Sequence, residues 1–365
     1  MTDGRGRDVA RGRGPLRVGL IGYGLGGSAF HAPLISATSG LHLAAVVTRD
    51  AGRRAQVEHR YPDARVVIDV EALWQLAHAL DLVVVSSPNA THVPYARTAL
   101  DAGLHVVVDK PFAPSAAEAR EIGALADRVG RLAIPFHNRR WDGDFLTVQR
   151  LVRDDALGAI HRFESRFERL RATAKPRWTL TDAAERGEGI VLDIGTHLID
   201  QALHLFGPVT DVHAELARRH PSVVVEDEAF LSLAHASGVR SHLYMSAAAA
   251  QSGARLSVWG ARAAYVKHGL DGQEDALRAG AIPSAADWGA EPRERWGSLG
   301  TMTERAPYRT LNGAYPAFYA DVERAIRSGG AAPVLVADAV ATLDVIEAAF
   351  RSARERRVVE VASAG

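Results

Sequence analysis

The sequence predicts an α/β protein with an N-terminal doubly wound parallel sheet and a C-terminal α/β domain that has a largely antiparallel open sheet. Apolar runs alternate with amphipathic helical patterns up to residue 136, which is typical of a parallel sheet with helices on both faces. Beyond that point strand patterns follow one another with short turns between them, which favours antiparallel pairing. At 365 residues, of which 47% are hydrophobic, the chain can fill a core in each domain.

Residues 1–15 are predicted to be a disordered extension, because they are rich in Arg and Gly and lack an apolar core. The N-terminal domain is expected at 16–136. Its predicted strands are short and rich in Val, Ile and Leu, as strands buried on both faces should be. They lie at 17–21, 43–47, 65–68, 82–86, 105–108 and 133–136, with amphipathic helices at 28–36, 51–60, 70–80 and 93–102.

The C-terminal domain, residues 137–365, begins with a predicted helix at 144–153. A strand at 160–169 alternates phenylalanines on one face with Arg and Glu on the other. That charged face is either solvated or pairs with another subunit in a homodimer or larger homo-oligomer. Further strands are predicted at 209–216, 229–235, 240–246, 256–260 and 264–267.

The end of the chain begins with an irregular stretch, 271–313, that contains Gly, Pro and Trp. A connection of that length is typical of a lid over a binding site or of a segment that wraps around a neighbour. Two helices are predicted next, at 316–327 and 337–353, and the second can pack back on the N-terminal domain. A strand at 358–361 is expected to be last.

The overall composition excludes several classes of protein. Forty-three basic residues balance 43 acidic ones, so the charge indicates neither a nucleic-acid nor a membrane partner, and a small ligand is expected. The chain has no cysteine, which excludes disulfides, thiolate nucleophiles and cysteine-bound metals and is compatible with a cytoplasmic location. No apolar run approaches the roughly 20 residues that cross a bilayer.

A glycine-rich loop follows the first strand directly. Gly22, Gly24 and Gly27 form the pattern G-x-G-x-x-G before a helical segment. Such glycines allow a tight turn and let the backbone approach a pyrophosphate at the helix N-terminus, as in a Rossmann domain. Leu25 and Gly26 belong to the same predicted cofactor contact. A loop that needs glycine only for packing is the alternative.

The end of the second strand suggests which dinucleotide binds. An NAD-specific domain usually places a carboxylate there for the ribose 2′-hydroxyl. This chain has Thr48 and Arg49, with Arg53 one turn later, and these side chains suit the 2′-phosphate of NADP. Alternatively, Arg49 is merely exposed to solvent, and Asp50 bends back towards the ribose.

The fourth strand ends in a polar turn that contains Ser87, Pro88 and Asn89, followed by His92. Because this turn lies at a carboxyl end beside the predicted crevice, we expect it to contact the ribose or nicotinamide. Capping of the next helix by Asn89 and Thr91 would also explain these residue types.

Lys110 follows Asp109 at the end of the fifth strand. Lysine is seldom buried without a partner, and this strand end points into the crevice where open α/β sheets bind ligands. Both residues are therefore predicted at the cofactor, and Lys110 also at the reacting centre. A lysine that extends to solvent is the structural alternative.

Asp193 and His197 are four residues apart in a predicted amphipathic helix, so they share one face. A carboxylate beside an imidazole raises its basicity and fixes its ring, which suits general acid–base catalysis. The alternatives are half of a metal site and an ordinary helix-stabilising pair. No third metal ligand has suitable spacing, so we expect no metal.

The glycine loop, the Asp109-Lys110-Pro111 tripeptide and the Asp193-x-x-x-His197 helix together resemble the Gfo/Idh/MocA oxidoreductases. The resemblance runs from about residue 17 to the end. Residues 24–33 and 138–142 are most similar to the NADP-dependent scyllo-inositol dehydrogenase branch. Asp109 stands where most members carry Glu, a mild chemical departure.

The resemblance implies a Rossmann domain, an open sheet that dimers often use, and a catalytic group made of Lys110, Asp193 and His197. We assign His197 as the base, Asp193 as its orienter and a substrate hydrogen-bonding partner, and Lys110 as the residue that stabilises alkoxide charge. Three polar residues after the last Rossmann strand suit a polyol, although an interdomain hydrogen-bond cluster would also use them: Asn138, Arg140 and Asp142.

Three functions fit these residues. The first is an NADP-dependent dehydrogenase or reductase that acts on a sugar, inositol or related polyol. The second is a redox-neutral glycosidase that uses NAD as a transient hydride store, and the third is a non-catalytic cofactor-binding regulator. The joint presence of Lys110, Asp193 and His197 argues against the regulator, because a sensor needs no acid–base group.

Overall fold

The computed structural model describes residues 14–185 and 187–361. Apart from its last two residues, the extension predicted at 1–15 lies outside these ranges. The N-terminal strands are β1 (Leu16–Ile21), β2 (Leu41–Val47), β3 (Arg65–Val67), β4 (Leu82–Val85), β5 (His105–Val108) and β6 (Ala133–Pro135). They form a parallel sheet in the order β3-β2-β1-β4-β5-β6. This is the strand order of a doubly wound dinucleotide-binding domain, which confirms the predicted fold class.

Helices cover both faces of this sheet, and their ends carry the expected signals. Asp50 and Asp69 accept hydrogen bonds from backbone N–H groups of the helices they precede. Gly130 ends the longest helix of this domain in a left-handed conformation, with φ of 64°. The helices are α1 (Ala32–Ser36), α2 (Ala51–Arg60), α3 (Val70–Gln75), α4 (His92–Asp101) and α5 (Ala116–Val129).

The second sheet is mixed but mostly antiparallel, as predicted. Its strands are β7 (Ile160–Glu168), β8 (Val209–Ala217), β9 (Glu228–His235), β10 (Arg240–Ser246), β11 (Leu256–Gly260), β12 (Ala264–Lys267), β13 (Gly297–Gly300), β14 (Arg305–Tyr308) and β15 (Val359–Glu360). The order is β14-β13-β12-β11-β7-β10-β9-β8-β15, and only the β7–β10 pair of these strands is parallel. The accompanying helices are α6 (Gly143–Arg153), α7 (Thr196–Phe206), α8 (Gln273–Arg278), α9 (Tyr315–Ser328) and α10 (Val336–Glu355).

The stretch 271–313 is more regular than the sequence predicts, because it contains α8, β13 and β14. The expectation of an irregular segment was wrong here. Both strands are only 4 residues long, and Gly297–Gly300 contains no β-branched residue to signal a strand. Lys267 and Glu291, both buried, form an ion pair with a 3.1 Å Nζ–Oε1 distance beside β13.

Two C-terminal helices pack back on the N-terminal domain. The Tyr319 hydroxyl in α9 lies 2.6 Å from His31 Nδ1. Glu347 in α10 accepts a 2.8 Å hydrogen bond from the Ala116 N–H at the start of α5. These contacts hold the carboxyl ends of the parallel strands against the second domain.

Candidate active site

A cavity of about 1120 Å³ lies between the two domains at the carboxyl ends of β1, β2, β4 and β5. Its walls include residues of the glycine loop and residues of the segments 169–180 and 187–188. Ordinary small-molecule sites occupy roughly 300–1,000 Å³. The cavity therefore has room for a dinucleotide and a second small molecule.

The glycines of the loop serve two different purposes. Gly22 has φ of 97°, and a β-carbon there would overlap the Ser86 carbonyl oxygen. A β-carbon at Gly27 would overlap the Gly22 carbonyl, so Gly27 is required for packing and does not line the cavity. Gly24 has no atom within 4 Å of an added β-carbon, and its backbone faces the cavity together with Leu25 and Gly26. Packing thus requires glycine at positions 22 and 27, while the cofactor contact of Gly24, Leu25 and Gly26 stays a prediction.

The helix after this loop begins with a π-helical turn, Gly26–His31, before α1. Ser28 secures the turn, because its hydroxyl donates a 2.7 Å hydrogen bond to the Gly24 carbonyl. Backbone N–H groups at the start of such a helix can bind phosphate oxygens.

The three residues that the sequence predicts to select NADP, Thr48, Arg49 and Arg53, all line the cavity beyond β2. Thr48 is buried, whereas Arg49 and Arg53 are exposed. The Asp50 carboxylate accepts a 2.8 Å hydrogen bond from the Arg53 N–H as the cap of α2. Its position as a helix cap leaves the guanidiniums of Arg49 and Arg53 available to a phosphate.

The turn after β4 lines the cavity as predicted but does not cap α4. Asn89 instead donates a 2.8 Å hydrogen bond to the Gly187 carbonyl of the second domain. Thr91 donates to the Pro88 carbonyl, at 2.7 Å. His92 is buried, with its ring nitrogens 2.7 Å from the Pro111 carbonyl and 2.9 Å from the Ser87 carbonyl. Burial lowers the pKa of His92, against the opposing effect of these carbonyls, and the ring braces the turn between β4 and α4.

Asp109 anchors the end of β5. Its carboxylate accepts hydrogen bonds from the Ser86 hydroxyl at 3.0 Å and from the Lys110 N–H at 2.8 Å. His31 Nε2 lies 3.5 Å from the same group. Burial alone would raise the pKa of Asp109, but the nearby His31 and then Lys110 bring it well below its ordinary range.

Lys110 crosses the domain boundary. Its ammonium donates to the Asp193 carboxylate at 2.7 Å and to the Asp193 carbonyl at 2.5 Å. Lys175 binds the second carboxylate oxygen, and Arg177 lies 3.2 Å from the first. Burial favours the neutral acid, but the three cations outweigh it and hold the pKa of Asp193 well below its ordinary value. Asp193 is therefore a charged hub that joins both domains.

His197 lies beside this hub but does not pair with Asp193, so the expected orienting contact is wrong. Residues Val191–Gly195 form a π-helical turn, which changes the register of the two side chains, and the three cations attract the carboxylate. His197 is buried and lines the cavity, and its Nδ1 has no hydrogen-bond partner among the described residues. Burial, then the charges of Lys110 and Arg139, hold its pKa well below the ordinary value. His197 is thus a neutral imidazole.

Of the three predicted substrate residues, only Asn138 lines the cavity. Arg140 makes two hydrogen bonds to Asp200, of 2.8 and 2.6 Å, and lies 3.2 Å from Asp338. Asp142 accepts a 2.6 Å hydrogen bond from the Tyr315 hydroxyl. Burial raises the pKa of Asp142 to about 8. The expectation that Arg140 and Asp142 bind substrate is therefore corrected, because buried partners already hold both side chains.

Sequence reasoning missed the cations that the second domain contributes to the cavity. Arg169, Arg171, Lys175 and Arg177 all line it and come from one segment after β7. Burial lowers the pKa of Lys175 to about 8, against the opposing effect of Asp193. The basic composition of this segment was the available signal.

Residues 14–185 and 187–361 contain no group of three or more His, Asp or Glu side chains placed to hold a metal ion. None of their helices has the length and apolar character to span a membrane.

Comparison with known proteins agrees with this geometry. Residues 16–137 match the family described as oxidoreductase family, NAD-binding Rossmann fold, and residues 145–266 match the GFO/IDH/MocA C-terminal domain. The chain is 39% identical to the uncharacterized oxidoreductase YdgJ of Escherichia coli, over 93% of this chain and 97% of that one. It is 34% identical to the scyllo-inositol 2-dehydrogenase (NADP(+)) IolW of Bacillus subtilis, over 94% and 95%. An oxidoreductase structure from Yersinia pestis, YPO2259, superposes with a TM-score of 0.88 at 38% identity, covering 97% and 99%.

The two roles of the loop glycines predict different effects of alanine. Gly27→Ala should lower the free energy of unfolding by about 1–3 kcal/mol, because the new methyl group overlaps backbone. Gly24→Ala should fold normally but raise the Kd of NADP about tenfold or more, since its methyl group enters the cavity. Urea denaturation and calorimetric titration measure the two quantities. Unchanged NADP affinity in folded Gly24→Ala would contradict the assignment of the loop.

Proposed function

This chain belongs to the Gfo/Idh/MocA oxidoreductases, and we propose that it transfers a hydride between NADP and a hydroxyl-bearing carbon of a sugar, inositol or related polyol. One observation carries the proposal. The Lys110 ammonium, at the end of a Rossmann strand, meets Asp193 of the second domain beside His197, inside a cavity that begins at the glycine loop. The name of the relative IolW supports the substrate class and the cofactor.

NADP supplies the hydride chemistry when bound, and the chain's residues fit it. Gly24, Leu25 and Gly26 would face the pyrophosphate, and Arg49 and Arg53 the 2′-phosphate. Open space at Gly24 and two cavity-lining arginines support this placement.

The proton of the substrate hydroxyl is proposed to pass to His197. In the oxidation direction the C–H bond breaks with its electron pair going to the nicotinamide, while the O–H proton must leave to form the carbonyl. The lowered pKa keeps the His197 imidazole unprotonated near neutral pH, so the ring has a free nitrogen for this proton, although it is a weaker base than an ordinary histidine. In the reduction direction the same ring returns it.

Lys110 is proposed to stabilise the reacting oxygen. Its ammonium is held by Asp193 and can donate a further hydrogen bond to developing alkoxide charge. The Asp193 carboxylate in turn holds both Lys110 and Lys175 in place, although the two ammonium groups repel each other. Asn138, on the cavity wall, is a candidate partner for another substrate hydroxyl.

The exposed face of the second sheet remains the proposed surface of a homodimer or larger homo-oligomer. Arg162 stacks on Trp259 at 3.9 Å and Arg166 on Tyr244 at 3.7 Å, measured to the ring centroids. These flat, amphipathic pairs suit a protein interface. The cytoplasmic location stays a prediction from the absence of cysteine.

A screen of both cofactors against polyols tests the proposed function. Purified protein is mixed with NAD or NADP and with inositols, aldoses or keto-sugars, and the absorbance of reduced nicotinamide is followed. We expect a net change with at least one polyol, and a kcat/KM for the NADP pair at least about tenfold above that for the NAD pair. Turnover without any net absorbance change would instead indicate the redox-neutral glycosidase.

Arginine variants provide the control for the cofactor assignment. Arg49→Gln and Arg53→Gln should raise the KM of NADP and leave that of NAD nearly unchanged, because only NADP carries the 2′-phosphate. Arg128→Gln, in an exposed arginine of α5 remote from the cavity, should change neither value. Equal effects of Arg49→Gln on both cofactors would refute the 2′-phosphate contact.

The pH profile tests the role of His197. Because its pKa lies well below the ordinary imidazole value, the ring stays unprotonated, and therefore able to accept a proton, as the pH falls. For the oxidation direction, kcat/KM should stay level through about pH 6.5 and decline only below it. His197→Gln should lose most activity at every pH. A decline centred at or above about pH 6.5 in the wild-type protein would argue against this assignment.

A further inference from the structure

Two arginines of the second domain face the cavity from one short, extended segment. Arg169 and Arg171 are separated by one residue, so in extended chain they point to the same side. Both line the cavity, while Leu170 between them is exposed. Backbone hydrogen bonds fix the segment, from the Arg169 N–H to the Ser246 carbonyl at 2.9 Å and from the Arg171 N–H to the Ala247 carbonyl at 2.8 Å.

These two guanidiniums differ from the neighbouring cations in lacking a carboxylate partner. Apart from Arg49 and Arg53 near the end of β2, the other Lys and Arg side chains of the cavity wall each have a carboxylate partner: Asp193 for Lys110 and Lys175, Asp193 and Glu188 for Arg177, and Glu274 for Arg139 and Arg278. Within residues 14–185 and 187–361, neither Arg169 nor Arg171 forms an ion pair within 4.0 Å. Positive charge is therefore in excess on this wall.

Arg169 is also partly desolvated. Its guanidinium lies 4.7 Å from the centroid of the Phe167 ring, and that of Arg139 lies 4.8 Å from the same centroid. Burial, and then the charge of Arg171, lower the pKa of Arg169. A half-buried cation whose neighbour repels it gains more from an anion than a fully solvated arginine does.

We infer that Arg169 and Arg171 form a subsite for an anionic group of the substrate, a carboxylate or a phosphate. This inference rests on the proposed function and narrows its substrate class to sugar acids or phosphorylated polyols. The charges that act on Arg169 are, after Arg171, those of Glu274, Arg139 and Asp193, and Asp193 is the carboxylate that also holds Lys110. Arg49, just after β2, and Arg53, in α2, are assigned to the cofactor. The Arg49–Arg53 pair and the Arg169–Arg171 pair would therefore bind different anions.

Matched neutral and anionic ligands test the subsite. Cofactor-loaded protein is titrated calorimetrically with D-glucose, D-gluconate and glucose 6-phosphate, and with myo-inositol and its 1-phosphate. We expect an anionic member to bind about tenfold or more tightly than its neutral partner, and its Kd to rise with salt. Comparing gluconate with the phosphates identifies which anion the subsite takes. Equal or weaker binding of every anionic member would overturn the inference.

Variants separate this subsite from the catalytic group. Arg169→Gln and Arg171→Gln should each weaken the preferred anion about tenfold, largely as KM where turnover is measurable, while binding of neutral polyol and of NADP stays within about twofold. Arg171→Gln leaves the contact between Arg169 and Phe167 in place, so this variant still tests the subsite if the Arg169→Gln protein does not fold. Arg128→Gln is the matched control. Equal losses for neutral and anionic ligands would also overturn the subsite.

Failure of the proposed function has a different signature. If the proposed function is wrong, the nicotinamide absorbance shows no net change with any ligand. The calorimetric titration does not depend on turnover, so it reports anion binding in either case.

Discussion

The ion pair between Lys110 and Asp193 is the contact on which the site depends. Each charge comes from a different domain, and each is largely removed from water, with side-chain exposures of 21% and 9%. Removing Asp193 would leave Lys110 and Lys175 without their carboxylate partner in the cavity wall, which is strongly unfavourable. The pair therefore couples the position of the second domain to the carboxyl end of β5. The proposed catalytic geometry and the packing of the two domains therefore both depend on this ion pair.

Burial and nearby cations together determine the state of His197. After burial, Lys110 and then Arg139 contribute most to lowering its pKa, so a positive field acts on the ring beside Asp193. Together with burial, this field keeps the imidazole neutral, so the histidine is proposed as a base without a carboxylate orienter. The arrangement differs from a conventional Asp–His pair because the acid acts on the lysines and only indirectly on the histidine. The same positive excess, extended by Arg169 and Arg171, underlies the inferred preference for an anionic substrate.

The sequence predicts the Rossmann domain well because its signals are local. A buried strand, a glycine loop and a lysine at a strand end each occupy a few consecutive residues, and their physical requirements are specific. The pairing of Asp193 with His197 fails because regular helix spacing does not hold in the π-helical turn, and because Lys175 competes from a distant segment. Arg140 and Asp142 were misassigned for a related reason. Their partners, Asp200 and Tyr315, lie far away in the chain, and polarity alone does not distinguish a buried network from a substrate contact.

The most direct test of the account is a single-turnover measurement of hydride transfer in Lys110→Met, with the Kd of NADP determined in parallel. Methionine retains much of the side chain's length but removes the ammonium, so Lys175 and Arg177 remain to neutralise Asp193. We expect the rate constant of hydride transfer to fall by about 100-fold or more while the Kd of NADP changes little. Hydride transfer at the wild-type rate in a folded, NADP-bound Lys110→Met protein would contradict it.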